Sequence, residues 1–384
     1  MIPYGRQNIS KEDIDSVLAV LMSDFLTQGP AVPAFEDKIL KYCDVRNAVA
    51  VNSATSALHI ACLALGVGPG DVVWTSPITF VASANCALYC GATVDFVDID
   101  SNTYNISVNA LKEKLDQAEK SGMLPKVIIP VHLTGQSCEM SEISALSKQY
   151  GFKIIEDASH AIGGKYLDKP VGNCAYSDIT VFSFHPVKII TTCEGGLATT
   201  DDDELANKLR LLRSHGITRD ESQMSEAPHG PWYYEQKLLG FNYRMTDIQA
   251  ALGVSQMDRL DQFVAKRHAI AHRYNELLKD IPLITPVQIP NSYSAFHLYV
   301  VRYEADSGSR SLKDVFEYIR GKGVGVNLHY MPVYRQPYYK SLGFSGQYCP
   351  EAEIYYQTAI SLPMYPDLSD LNQDKVVDVL GGLF

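Results

Sequence analysis

Between Ala48 and Asp157 the chain repeats one pattern, a short apolar run followed by a helical stretch. A-V-A-V-N (48–52), D-V-V-W-T (71–75), T-V-D-F-V-D-I (93–99), K-V-I-I-P-V-H (126–132) and F-K-I-I-E-D (152–157) read as strands. The stretches between them, 53–65, 79–90, 107–119 and 139–149, read as helices. Strands this apolar must be covered on both faces, and strands alternating with helices pair largely in parallel. The pattern therefore predicts an α/β fold in which ligands collect at the carboxyl ends of the strands.

On either side the pattern changes. Ser10 reads as a helix cap, with Ile14, Val17, Leu18 and Leu21 at helical spacing behind it, and a second helix covers 33–42. D-F-L-T-Q-G-P (24–30) lies between them as a turn. Residues 178–184 and 197–200 read as two further strands, followed by a helix at 202–213. The segment 218–237 has no period, and a loop of that length in a compact domain is functional or disordered. Its Trp232, Tyr233 and Tyr234 argue for a docked loop. Thr246 to Gln249 form a capping box. The box opens a long helix, apolar at Ile248, Ala251, Leu252, Met257, Leu260 and Phe263, placed to carry the chain out of the first domain. The remainder reads as a smaller α+β unit, with strands at 297–303 and 324–330 and helices at 311–321 and 372–381. The expected organisation is an N-terminal segment and large domain over 1–260 and a small C-terminal domain over 261–384.

The 384 residues, 46% apolar and 20% charged, describe a globular protein. A net charge of −11 argues against nucleic-acid or anionic-membrane partners. The eight cysteines are scattered, with no C-x-x-C, and read as free thiols in a reducing compartment. There is no apolar signal core at the N-terminus and no run of about 18 apolar residues, so a cytoplasmic protein is expected. His268 and His272 stand four apart, but Arg267 and Arg273 flank them and no glutamate lies between. That reads as a solvated helix face, not a metal site.

Several stretches can carry chemistry. In V-F-S-F-H-P-V-K-I-I-T-T-C-E-G-G (181–196), Lys188 follows a strand, sits among apolar residues and precedes a Gly-Gly turn. A free lysine is neutral only about once in 2,500 molecules at pH 7. Burial favours the neutral amine and so activates it toward a carbonyl. N-S-A-T-S-A-L (52–58) places Ser53, Thr55 and Ser56 at a helix mouth, either as an anion site or as simple capping by Ser53. I-I-E-D-A-S-H-A (154–161) ends a strand with Glu156 and Asp157, which can pair a cationic partner or cap a helix, and His160 follows. In T-S-P-I-T-F-V-A-S-A-N (75–85), Phe80 can stack on a planar ligand or belong to the core.

Together these features suit one cofactor. Pyridoxal 5′-phosphate (PLP) needs a Schiff-base lysine, an acid on its ring nitrogen, a phosphate cup and a stacking face. The ordered motifs N-S-A-T-S-A-L, E-D-A-S-H-A, S-F-H-P-V-K with E-G-G, L-R-S-H-G (212–216) and G-F-N-Y-R-M-T-D (240–247) resemble the DegT/DnrJ/EryC1/StrS sugar-nucleotide aminotransferases. Those are fold type I PLP enzymes, with a mostly parallel central sheet in the large domain and a smaller α+β domain. The resemblance runs from Tyr4 to about Tyr365. Y-G-R-Q-N-I (4–9), F-L-T-Q-G (25–29), I-T-F-V-A-S-A-N (78–85) and V-N-L-H-Y-M-P-V-Y (326–334) are most similar to the branch serving pseudaminic acid biosynthesis. That branch aminates a UDP-linked 4-keto sugar with L-glutamate.

The resemblance implies a role for each site residue. Lys188 would carry the cofactor and Asp157 would pair with its ring nitrogen. Ala54, Thr55 and Ser183 would hold the phosphate, Phe80 would stack on the ring, and His160 would lie near its oxygen face. Asn242 would reach the cofactor phosphate of a partner subunit, which implies a homodimer with shared sites. Tyr4, the turn Asp24, Phe25, Leu26 and Thr27, and the run Asn327, Leu328, His329 and Tyr330 would meet the sugar nucleotide. Two alternatives stand beside this reading: a sister aminotransferase for another nucleotide-linked keto sugar, and a non-catalytic PLP-binding sensor.

Overall fold

The computed structural model describes residues 1–303, 311–346 and 348–383. The expected strands form, as β1 (Asn47–Val51), β2 (Val72–Thr75), β3 (Thr93–Phe96), β4 (Val127–Ile129), β5 (Lys153–Asp157), β6 (Ile179–Ser183) and β7 (Gly196–Thr200). They make one seven-stranded sheet in the order β1-β7-β6-β5-β4-β2-β3. β1, β6 and β7 are buried along their whole length, as strands covered on both faces must be. Helices α3 (Ala54–Ala64), α4 (Ala82–Tyr89), α5 (Val108–Ser121) and α6 (Met140–Tyr150) are the crossovers between parallel strands.

β7 alone runs against its neighbours, antiparallel to both β6 and β1. The cause is local. A parallel return needs a crossover of a dozen or more residues, usually helical. The link from β6 to β7 has no α-helix and is closed at its base by hydrogen bonds from Phe184 N to Gly195 O (2.9 Å) and from Thr192 N to Phe184 O (3.0 Å). The chain must double back, and Lys188 sits in that return at the carboxyl end of β6.

The second unit is built on the antiparallel sheet β8 (Leu283–Ile284), β9 (Tyr299–Tyr303) and β10 (Ala359–Leu362), in the order β8-β9-β10. Its apolar core includes Tyr274, Tyr299, Ile319 and Leu380, and Ile2 from the far end of the chain joins it. The expected strand at 324–330 does not form. That segment is extended but makes only single bridges, Val324 to Ile2 and Asn327 to Ser361, before turning into the large unit. β10, which the sequence pattern did not reveal, is the strand that completes the sheet.

The helix capped by Ser10 forms, and three later expectations are corrected. The stripe Ile14, Leu18 and Leu21 of α1 (Lys11–Leu21) faces outward, 44–54% exposed. The side of α1 that packs inward is led by Asp13, fully buried and bonded to Ser255 and Gln256 of the helix opposite and to Arg259 just beyond it. The loop 218–237 is not docked by Trp232 or Tyr234, and only Tyr233 of the three is half-buried, donating to Glu235 at 3.2 Å. Trp232 is 72% and Tyr234 50% exposed, and the loop is held instead by Glu235, which accepts from the amides of Ser225 and Glu226. The helical run from Thr246 breaks after Met257 into α8 (Asp247–Met257) and α9 (Leu260–Leu278). On α9 the supposed solvated face is partly interior. Arg267 is buried and donates to the carbonyls of Phe296, His297 and Met364, and His268 stacks on Tyr293 at 4.1 Å. A long guanidinium can be buried where it satisfies backbone carbonyls, which a sequence pattern cannot foresee.

Candidate active site

A cavity of about 660 Å³ opens at the carboxyl ends of the strands, between the two units. Its lining includes Ala54, Thr55, Phe80, Asp157, His160, Ser183 and Lys188, together with Tyr4 and Asn327 to Tyr330 from the second unit. The sequence thus places most of its expected site residues in one space.

Alternation along β5 separates two neighbouring acids. Glu156 points away from the cavity to the His132 ring at 2.7 Å, with Ser177 and Thr180 on its other oxygen. Burial opposes its charge, yet His132 and the hydroxyls outweigh burial and hold its carboxyl below the usual range. The Cys138 amide donates to His132 Nδ1, so Nε2 carries the proton toward Glu156. Of the two strand-end acids, Glu156 thus pairs with the buried His132, away from the cavity. Asp157 faces the cavity, accepting from Ser83 Oγ at 2.6 Å and from the Ser159 amide at 3.1 Å.

Lys188 enters the same cavity from the β6–β7 return. Ile189 and Ile190, 4% and 1% exposed, root the segment in the core. Burial pushes the Lys188 ammonium down to about 8, and the Asp157 carboxylate works against that shift. The histidines around it are kept neutral. Burial first, then the Lys188 charge, pulls His329 down to about 3 and His160 well below the ordinary range. His160 Nδ1 accepts from the Thr134 amide at 3.3 Å, so Nε2 holds the proton and donates toward Tyr330 Oη at 3.3 Å. Thr134 reaches that position with a φ of 64°, a left-handed conformation costing about 1–2 kcal/mol in a residue with a Cβ.

At the mouth of α3, Ser53 is the N-cap and accepts from Ser56 N. Capping by Ser53 leaves the anion-site reading open, because the amides of Ala54 and Thr55 have no intrahelical acceptor and these residues line the cavity beside Ser183. The E-G-G motif belongs here too. A Cβ on Gly196 would lie 2.3 Å from Ser53 C and 2.4 Å from Ala54 N, so only glycine lets β7 approach the helix mouth. Phe80, 59% exposed, lines the cavity, its ring centroid 6.4 Å from that of Tyr330.

Some expected residues are not brought together. Asp24, Phe25, Leu26 and Thr27 lie outside this cavity, where Thr27 bridges Thr246 and Leu26 O accepts from Asp247 N. Asn242 is exposed and bridges Ser214. Conversely, Ser83, Ser159, His185, Glu194 and Gln336 line the cavity without having been singled out. Ser83 stood inside the motif T-S-P-I-T-F-V-A-S-A-N, and its place in the first turn of α4 was the available signal.

Strand-end acid, poorly hydrated lysine, helix-mouth anion cup and aromatic plate fit PLP on the residues present. Fold and site define a PLP-dependent aminotransferase of the fold type I architecture. The chain belongs to the DegT/DnrJ/EryC1/StrS aminotransferase family, which it matches over residues 7–381. Among curated relatives, the spore coat polysaccharide biosynthesis protein SpsC of Bacillus subtilis is 38% identical, covering 99% of this chain and 96% of the relative. A UDP-4-amino-4,6-dideoxy-N-acetyl-beta-L-altrosamine transaminase of Campylobacter jejuni is also 38% identical, with the same coverage of both chains. Among solved structures, Helicobacter pylori PseC, an aminotransferase involved in the biosynthesis of pseudoaminic acid, superposes with a TM-score of 0.90 at 31% identity, covering 100% of this chain and 99% of that one.

Proposed function

We propose that this aminotransferase converts UDP-2-acetamido-2,6-dideoxy-β-L-arabino-hex-4-ulose to UDP-4-amino-4,6-dideoxy-N-acetyl-β-L-altrosamine, with L-glutamate as amino donor, in pseudaminic acid biosynthesis. The observation that carries the chemistry is that Asp157 and Lys188 line one cavity, the lysine's ammonium lowered by burial to about 8. The full-length similarity to the C. jejuni transaminase supports the sugar.

PLP, when bound, supplies a carbonyl that carries the amino group and a ring that accepts electrons. The chain's residues do the rest. Lys188 Nζ, as the neutral amine, would be the group that binds the cofactor's carbonyl, and when not so bound it would serve as the base within the cavity for the α-proton of the amino donor. Asp157 would hold the proton on the ring nitrogen. The α3 amides and Ser183 would hold the phosphate, and Phe80 would stack on the ring. The neutral His160 presents Nε2–H to an oxygen without adding charge beside Lys188. Tyr4 and Asn327 to Tyr330 form the opposite wall, where the sugar enters.

The proposed unit is a cytoplasmic homodimer with shared sites. Support comes from apolar surface: Ile14, Leu18, Leu21, Met22, Phe25 and Leu26 are 44–78% exposed along α1 and the turn after it. Runs of apolar exposure such as this mark association surfaces. A second copy would also account for the positions of Asp24 to Thr27 and of Asn242, which stand away from the cavity of their own chain.

The equal identity of the B. subtilis relative favours a second reading for specificity alone, amination of another nucleotide-linked keto sugar. Mass spectrometry of products from a panel of nucleotide-linked 4-keto sugars with glutamate tests both. The expected result is an amino sugar from the UDP-linked 2-acetamido substrate. Product from GDP- or dTDP-linked substrates only would overturn the proposed sugar.

A further inference from the structure

Asp157 is the only carboxylate among the described residues that line the cavity near Lys188, apart from Glu194 at its rim. What holds it is a chain of hydroxyls. Ser83 Oγ lies 2.6 Å from Asp157 Oδ2, and Thr79 Oγ1 lies 2.7 Å from Ser83 Oγ. Both hydroxyls are nearly sealed, Ser83 at 0% and Thr79 at 3% exposure.

Their proton directions follow from the acceptors within reach. Ser83 has one proton and three neighbours: Asp157, Thr79 and, at 3.4 Å, Phe80 O. The carboxylate is the nearest and the charged one, so it takes the proton. Thr79 Oγ1 has Ser83 as its hydrogen-bond partner, so it donates into the lone pair that Ser83 leaves free. The relay therefore runs one way, from Thr79 to Ser83 to Asp157. The Ser159 amide donates to Oδ1 from the other side at 3.1 Å. Two donors clamp the carboxylate, and its rotation about the Cβ–Cγ bond would break both bonds.

Resting on the PLP reading of this site, we infer that Ser83, backed by Thr79, is a positioning residue that keeps Asp157 aimed at the cofactor's ring nitrogen and so keeps that nitrogen protonated. Without the hydroxyl, the carboxylate keeps one fixed bond and turns toward the cavity, and its pairing with the ring nitrogen lengthens. Hydrogen bonds to charged groups are the strong ones, so the loss is large for one atom.

The test uses full-length protein loaded with PLP carrying ¹⁵N in the ring, in three forms: wild type, Ser83→Ala and Thr79→Val. Ring-nitrogen chemical shift, PLP dissociation constant and thermal midpoint are read for each. The expected result for Ser83→Ala is a shift toward the unprotonated nitrogen and PLP binding weaker by about tenfold or more. Thr79→Val, which is nearly isosteric, gives the same changes at smaller size, and stands alone if Ser83→Ala does not fold. An unchanged ring-nitrogen shift in the folded variants, whatever their thermal midpoints, overturns the inference. Failure of wild type to bind PLP would instead overturn the cofactor reading, so the two failures are distinct.

Discussion

Gly196 and Ser53 touch backbone to backbone: a Cβ at 196 would stand 2.3 Å from the Ser53 carbonyl carbon. That contact presses β7 against the mouth of α3 and fixes where the Ala54 and Thr55 amides point. Gly196→Ala must push the two apart. The expected outcome is a loss of about 1–3 kcal/mol in stability from overpacking, with weaker PLP binding. Thermal unfolding and PLP titration check it, and wild-type PLP affinity in the alanine variant would contradict this role for the motif.

The Lys188 amine sets a pH dependence. Its folded value, about 8, lies below the ordinary lysine value, so its neutral fraction rises through pH 8. Uptake of PLP by the cofactor-free protein should speed up between about pH 7 and 9 and then level off. A lysine with the ordinary value of about 10.4 would keep accelerating well beyond pH 9. Stopped-flow absorbance against pH distinguishes the two curves.

Glu156 and Asp157 are adjacent in sequence and should separate cleanly by experiment. Glu156→Ala leaves His132 buried without its acceptor, at a cost of about 3 kcal/mol, and the thermal midpoint falls by several degrees. Asp157→Asn should leave the midpoint within a degree or two of wild type while turnover drops by about a hundredfold or more. Equal loss of stability in both variants would mean that Asp157 is structural too.

How much of this could be read from residues alone depended on whether the signal was local. The alternation from Ala48 to Asp157 announced the sheet because each strand carries its own apolar run. Lys188 was legible because it follows a strand and stands beside Ile189 and Ile190, which root the segment in the core. The outward stripe of α1 was not, since Ile14 and Leu18 have the spacing of a core face and only the burial of Asp13 shows which side packs. Ser83 escaped for a related reason: a serine on a first helical turn reads as an ordinary polar residue until Asp157, far along the chain, is folded against it. Arg267 escaped because its acceptors are backbone carbonyls, which leave no trace in side-chain pattern.

The apolar stripe on α1 gives the assembly prediction. Leu18→Arg places a charge in the exposed apolar stripe proposed above as the dimer surface. Light scattering should show a dimer for wild type and a monomer for the variant, with turnover falling together with the dimer fraction. A monomeric variant at full activity would mean that each site is complete within one chain.

The most direct measurement is borohydride reduction of the PLP-loaded protein followed by peptide mapping in a mass spectrometer. The account predicts a phosphopyridoxyl group on the peptide carrying Lys188 and no label in Lys188→Ala. Label on a different lysine of the wild-type protein, or none at all, would contradict it.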